Sequence, residues 1–295
     1  MTANISLQDI RSRRWRLVRA QVACAAVALQ VACGGGGTTS EPASATVDTS
    51  TKVAVANDLA EPDSKDIAMR LISSAENSTT KWKEQYIYIE DIGDGRGYTG
   101  GIIGFTSGTG DMLEVVRVYT AKAPGNPLEA FLPALQAVKG TDSHDGLGDP
   151  FVTAWKAAAE SGEFKGAQNS ECDRVYFDPA VALAKSDGLR DLGQFIYFDA
   201  AVVHGRGNGA YTLDGIRATA LAKATPPSQG GDEAAYLNAF LDARVIAMKS
   251  EPAHEDVSRI ETAQRVFLQE GNLDLRPPLH WKVYDKSFSI PEAAE

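Results

Sequence analysis

Eight of the eighteen residues from Gly93 to Gly110 are glycine, and no other stretch limits the fold of this 295-residue chain as strongly. Glycine adopts positive φ without steric cost but loses the most entropy in regular structure, so this density excludes a stable helix and predicts tight turns. Gly93, Gly95, Gly97, Gly100 and Gly101 predict a turn system, Ile102 to Phe105 a short strand, and Gly108 and Gly110 a second break. On either side the apolar residues recur at helical spacing. Ser64 is the expected cap of a helix reaching Glu76, with Ile67, Ala68, Leu71, Ile72 and Ala75 on one side. Trp82 to Glu90 reads equally as a helix end or a strand. From Asp111 onward the pattern predicts helices over 111–121, 127–138, 150–160, 178–204, 213–223, 232–250 and 255–270, with loops at Pro226-Pro227 and Gly230-Gly231. The expected class is α+β, mainly helical, with a small β element near the start of the folded part.

The first sixty residues read as an address and a tether. Arg11, Arg13, Arg14, Arg16 and Arg19 precede an apolar run from Val22 to Ala32, the arrangement of an export signal over 1–33. Ser12-Arg13-Arg14-Trp15 is similar to a twin-arginine signal, and Val31-Ala32-Cys33-Gly34 to a lipoprotein cleavage site. The pattern leaves open whether Cys33 carries a lipid anchor. Residues 34–60 are nearly all small or polar and read as a flexible linker, with a single folded domain over 61–295. No run of eighteen apolar residues exists, which excludes a multi-span membrane protein. Of the three cysteines only Cys172 lies in the folded part, so no internal disulfide framework is expected and Cys172 reads as a structural thiol.

Five of the 29 basic residues but only one of the 39 acidic ones, Asp9, fall within residues 1–32, so the remainder carries a net charge of −14. That sign is wrong for a nucleic-acid binder and suits a cationic partner.

Three motif matches fail. Gly95-Arg96-Gly97-Tyr98-Thr99-Gly100 has dinucleotide-fingerprint spacing, but the glycines that follow forbid the helix which must bind the pyrophosphate. His254-Glu255 begins a zinc-protease motif whose second histidine position holds Ser258, and Asp91 to Asp94 breaks the calcium-loop pattern at Gly93. Carboxylates remain. Glu76 falls at the edge of the apolar arc of its helix, where partial desolvation suits a carboxyl group to hold and donate a proton. Asp94 sits in the glycine-dense loop, which is expected to present its side chain with little shielding. One acid and one exposed base are the minimum equipment for glycoside hydrolysis. Arg244 and Asp199 each fall at the centre of an apolar helix face, so each needs a partner, and the simplest expectation is that they pair.

The longer runs Ser74-Ala75-Glu76-Asn77 and Tyr88-Ile89-Glu90-Asp91-Ile92-Gly93-Asp94-Gly95-Arg96-Gly97-Tyr98-Thr99 resemble the chitosanases of glycoside hydrolase family 46. Phe105 to Asp111, Asp173 to Ala180, Gln229 to Glu233 and Gly271 to Leu275 extend the resemblance over about 65–285. It implies a lysozyme-like fold, two mostly helical lobes flanking a cleft, and internal hydrolysis of β-(1,4)-linked glucosamine polymer with inversion of configuration. By matching position Glu76 is the expected general acid, Asp94 the general base, and Thr99 a residue holding the attacking water. Arg259, Asp199 and Arg244 match the charge network beside the acid, although periodicity places Arg259 poorly. Asp111 matches a cation-binding carboxylate, and Tyr88, Arg96, Tyr176, Glu251 and Glu255 match cleft-lining positions. No metal or organic cofactor is implied, the expected partner is chitosan, and the expected state is an exported monomer. Two rivals remain: a lysozyme- or chitinase-like hydrolase of N-acetylated polymer, and a surface polysaccharide-binding lipoprotein without catalysis.

Overall fold

Proline lacks an N–H and has a preset φ, so it starts a helix more readily than it continues one. Accordingly α1 (Pro62–Glu76) begins at Pro62, two residues before the expected cap, and the Ser64 hydroxyl instead donates to Asp191 at 3.2 Å. The computed structural model describes residues 58–250 and 255–292; the expected export signal, Cys33, nearly all of the expected linker, and Glu251 lie outside these residues.

Trp82–Ile87 forms a 3₁₀ turn, resolving the ambiguous segment into a turn followed by a strand. Strands β1 (Ile89–Asp91), β2 (Tyr98–Gly100) and β3 (Phe105–Thr106) make one antiparallel sheet in that order. The strand expected over Ile102 to Phe105 is therefore displaced: residues 101–104 turn, and only Phe105 of that run pairs, with Gly100. Asp91 pairs with Tyr98 at the end of the β1–β2 ladder, so residues 92–97 form a loop closed at its neck by that pair. Gly97 shows why glycine is needed there: its φ is +70°, and a Cβ would sit 2.3 Å from the Ser107 hydroxyl.

Helices α2 (Asp111–Lys122), α3 (Leu132–Val138), α4 (Gly148–Ala158) and α5 (Gly162–Cys172) follow. Here α3 is shorter than expected because its first turn, Glu129–Phe131, is 3₁₀. The pattern did not suggest α5, whose Gly162, Gly166 and many polar residues hide its inward side of Phe164, Ala167 and Cys172. Trp155, Phe151 and Phe164 form the centre of this lobe, with Trp155 and Phe164 edge to face at 4.9 Å between ring centres. Cys172 is buried and unpaired, and burial pushes its thiol well above the usual range.

The single helix expected over 178–204 is two, α6 (Asp178–Ser186) and α7 (Asp191–His204). Gly188 separates them at φ +78°, packed so closely on the loop at Ser228 that a Cβ would lie 2.7 Å from its backbone nitrogen. The second lobe is completed by α8 (Leu213–Leu221), α9 (Glu233–Lys249), α10 (Arg265–Gln269) and an antiparallel hairpin of β4 (Leu279–Val283) and β5 (Lys286–Ile290). The fold is α+β, mainly helical and lysozyme-like, with the cleft between its two lobes.

Candidate active site

The last turn of α1 carries Glu76 to the cleft, and the C-terminal hairpin holds that turn in place. Trp281 Nε1 donates to Ser74 Oγ at 2.9 Å, and the Tyr284 hydroxyl to the Ala75 carbonyl at 3.1 Å. Glu76 and Tyr284 both line the cleft, with Asn77, Tyr88, Ile92, Arg96, Thr99, Asp111 and Tyr176.

Behind Glu76 runs an alternating row of charges. Arg259 Nη1 donates to Glu76 Oε1 at 2.8 Å while its Nη2 and Nε donate to the two oxygens of Asp199 at 2.5 and 3.2 Å. Arg244 Nη1 lies 2.7 Å from Asp199 Oδ2, so the pairing expected from the two helix faces is present. Gln264, not suspected from the sequence, closes the row by donating to Asp199 Oδ2 at 2.7 Å and accepting from Arg244 at 3.0 Å. Burial alone would raise the Asp199 carboxyl, but Arg259 and Arg244 hold it well below the usual range. Burial lowers Arg244; for Arg259 it is outweighed by Asp199 and Glu76, which raise it.

The poor periodicity of Arg259 has a local cause. The helix expected over 255–270 is composite: Ile260–Gln264 forms a wide π turn before α10. Residues five apart stand about 140° apart around an α-helix, but a π turn brings them nearer one side, so Arg259 and Gln264 reach the same carboxylate.

Asp199→Asn removes the anion held between two buried guanidiniums, and is expected to cost on the order of 3–5 kcal/mol of stability. Because the native carboxyl titrates below its unfolded value, the stabilisation is full above about pH 4 and is lost only as pH falls further. Denaturant unfolding at pH 6 checks this, and an unchanged midpoint would contradict it.

Across the cleft, Thr99 lies in β2, between Glu90 and Thr106 in the sheet. It is 8% exposed, and its buried hydroxyl has no hydrogen-bond partner among the described residues. Asp94 departs from expectation. Its side chain is fully covered rather than presented, with Oδ1 accepting from the Arg96 backbone N–H at 2.9 Å and Oδ2 from Arg96 Nε at 2.8 Å. Aspartate readily bonds the backbone two residues on, and this local turn draws the carboxylate back into its own loop. Asp94 is not among the cleft-lining residues, whereas its partner Arg96 is.

Asp111 opens α2. Its Oδ1 accepts from Thr106 N, Thr109 Oγ1 and Met112 N at 2.7, 2.6 and 2.9 Å, and its Oδ2 from the Tyr176 hydroxyl at 3.1 Å. Burial raises the Asp111 carboxyl, opposed by these hydrogen bonds, and Tyr176 is raised by its burial and by Asp111. Tyr176 reaches across because Asp173–Phe177 is a second π turn, between α5 and α6. Tyr88 lines the cleft and its hydroxyl donates to Glu90 at 3.3 Å. Glu255 is exposed and does not line the cleft. Tyr284 and Gln264 belong to this region without being expected from the sequence; the alternation of buried Leu279, Trp281 and Val283 is the signal that could have found the hairpin behind Tyr284.

A cleft between two helical lobes, lined by the Glu76 carboxyl and by a Thr99 hydroxyl with no hydrogen-bond partner among the described residues, is the kind of site a polysaccharide hydrolase presents. Residues 70–279 match the sequence model of glycosyl hydrolase family 46, and the chain belongs to that family. It is 61% identical over 246 residues to a chitosanase of a Streptomyces species, covering 83% of this chain and 88% of the relative. A chitosanase of Bacillus subtilis is 37% identical over 230 residues, 74% of this chain and 81% of the other. Among solved structures, a chitosanase co-crystallised with substrate superposes with a TM-score of 0.78 at 63% identity, covering 80% of this chain and 99% of that one. A Gynuella sunshinyii chitosanase in complex with chitotetraose gives 0.71 at 33% identity, covering 77% and 97%.

Proposed function

We propose that this protein is an endo-acting chitosanase that cleaves β-(1,4) bonds between glucosamine units with inversion of configuration. The observation that carries the reading is Glu76 and the unpartnered Thr99 hydroxyl facing one cleft, in a chain of this family. Glu76 donates its proton to the leaving oxygen as the glycosidic bond breaks, and the carboxylate it becomes lies 2.8 Å from Arg259, which stabilises the new charge. Thr99 holds a water, Asp94 takes its proton, and the water oxygen bonds the anomeric carbon from the opposite face. Asp94 reaches that water by exchanging Arg96 for it. Gly93 and Gly95 flank Asp94 with open space where a Cβ would lie, so the turn can reorient without straining a side chain.

The substrate amines are cationic in mildly acidic water, and the acidic balance of the chain suits them. Asp111 Oδ1 already accepts three hydrogen bonds, but Oδ2 accepts only that of Tyr176 among the described residues, leaving capacity for a substrate ammonium. Tyr88, Arg96 and Tyr176 line the path. An exported, monomeric enzyme needing no metal or organic cofactor completes the reading.

Reducing-end release separates it from its rivals. Fully deacetylated oligomers should be cut on the order of 10²-fold or more faster than fully acetylated ones, because a site matched to a charged group rejects its neutral analogue. The rate on deacetylated oligomers at subsaturating concentration should fall as salt screens the cleft. Equal or faster cleavage of acetylated oligomers would mark a lysozyme- or chitinase-like enzyme, and no release from either a binding protein without catalysis.

A further inference from the structure

The loop bearing Asp94 is closed at its neck by Asp91 and Tyr98, and one side chain from a distant segment touches both. The His144 ring lies against that of Tyr98, tilted by 41° with centres 4.2 Å apart, and its Nε2 lies 3.6 Å from Asp91 Oδ2. That nitrogen is buried and makes no hydrogen bond among the described residues, so Asp91 is the acceptor it faces. The other oxygen of Asp91 accepts the Gly93 N–H at 2.8 Å, linking the contact to the first residue of the turn that holds Asp94.

The segment carrying His144 is itself fastened to this loop. Gly140 N donates to the Gly108 carbonyl at 2.8 Å, and Gly108 N to the Arg96 carbonyl at 2.8 Å. Tyr98 is wedged between His144 and Phe151, whose ring centre is 6.0 Å away. Asp149, at the start of α4, acts on Tyr98 together with Asp91; of the remaining charged groups, Lys139, Asp142 and Asp145 lie on the segment that carries His144, and Asp94 and Arg96 in the loop. Acidic groups predominate. A charged imidazolium is attracted by Asp91 and by this surrounding, whereas a neutral one at 3.6 Å contributes little more than its contact with the Tyr98 ring.

We propose that His144 is a positioning residue for the base-bearing loop: in its charged form it ties Asp91 to Tyr98 and fixes the neck about which the turn carrying Asp94 reorients, in mildly acidic water. The functional half of this proposal rests on Asp94 being the base; the structural half does not. Mildly acidic water is also where the proposed substrate is cationic, so loop and substrate would be set for reaction by the same protons.

The test uses the full chain, with His144→Gln and the exposed Asp91→Asn made singly and together. Hydrogen exchange of the amides in 92–97 and the kcat and KM for a soluble glucosamine oligomer are followed from pH 5 to pH 8. A partly exposed ion pair corresponds to roughly two- to five-fold, so at pH 5 either variant should exchange and turn over faster and slower, respectively, by that factor, with KM little changed. The double variant should be no worse than either single one, and the difference from wild type should vanish towards pH 8. Unaltered loop exchange at pH 5, a deficit independent of pH, or fully additive effects would overturn the proposal. If Asp94→Asn stays active the base assignment falls, and the exchange measurement still decides whether His144 clamps the loop.

Discussion

Glu76→Gln should lower kcat by roughly 10²–10⁴-fold while the protein stays folded, because the amide keeps the shape of the side chain but has no proton to donate. The retained oxygen can still accept from Arg259, so the row Arg259, Asp199, Arg244 and Gln264 should survive the change. This separates Glu76 from Asp199. The Asp199 variant loses stability first, whereas the Glu76 variant should keep its melting temperature and lose only turnover. Reducing-end release and thermal unfolding on the same preparation check both statements. Retention of a tenth of wild-type activity would sink the general-acid assignment.

Asp94→Asn should be reduced by a similar factor, since an amide cannot take the proton of the attacking water. The structure adds a consequence that differs from Glu76. Asp94 is held by Arg96 through two hydrogen bonds, one from its backbone and one from its side chain. Asparagine can accept from the backbone N–H but loses the charged pairing with Arg96, a residue that lines the cleft. The cost should therefore fall mainly on kcat, with an accompanying change in KM set by where Arg96 goes. Equal kcat in wild type and variant would remove Asp94 from the mechanism.

What the sequence disclosed, and what it concealed, follows from how local each feature is. Asp199 and Arg244 were legible because a charge in the middle of an apolar face is costly and demands a partner. Arg259 and Gln264 meet that same carboxylate through a π turn, which α-helical spacing does not reveal. The nature of Asp94 was legible but its direction was not, because a hydrogen bond spanning two residues outweighed the openness expected of a glycine-rich loop. Helix α5 escaped notice for want of apolar residues, and the break between α6 and α7 because a single glycine at positive φ ends a helix without altering the surrounding apolar pattern. The β4–β5 hairpin, whose alternation of Leu279, Trp281 and Val283 is visible in the sequence, carries Trp281 and Tyr284, the two residues that brace the turn holding Glu76, and only the fold brings them there.

The central claim is that a water activated by Asp94 displaces the sugar directly, with no covalent sugar–enzyme intermediate. Proton NMR of a glucosamine oligomer, recorded within the first turnovers and before mutarotation, reads the anomer of the newly formed reducing end. The account predicts the α-anomer, the outcome of a single displacement on a β-linked substrate. Initial release of the β-anomer would mean two displacements through a covalent intermediate, and would contradict the account.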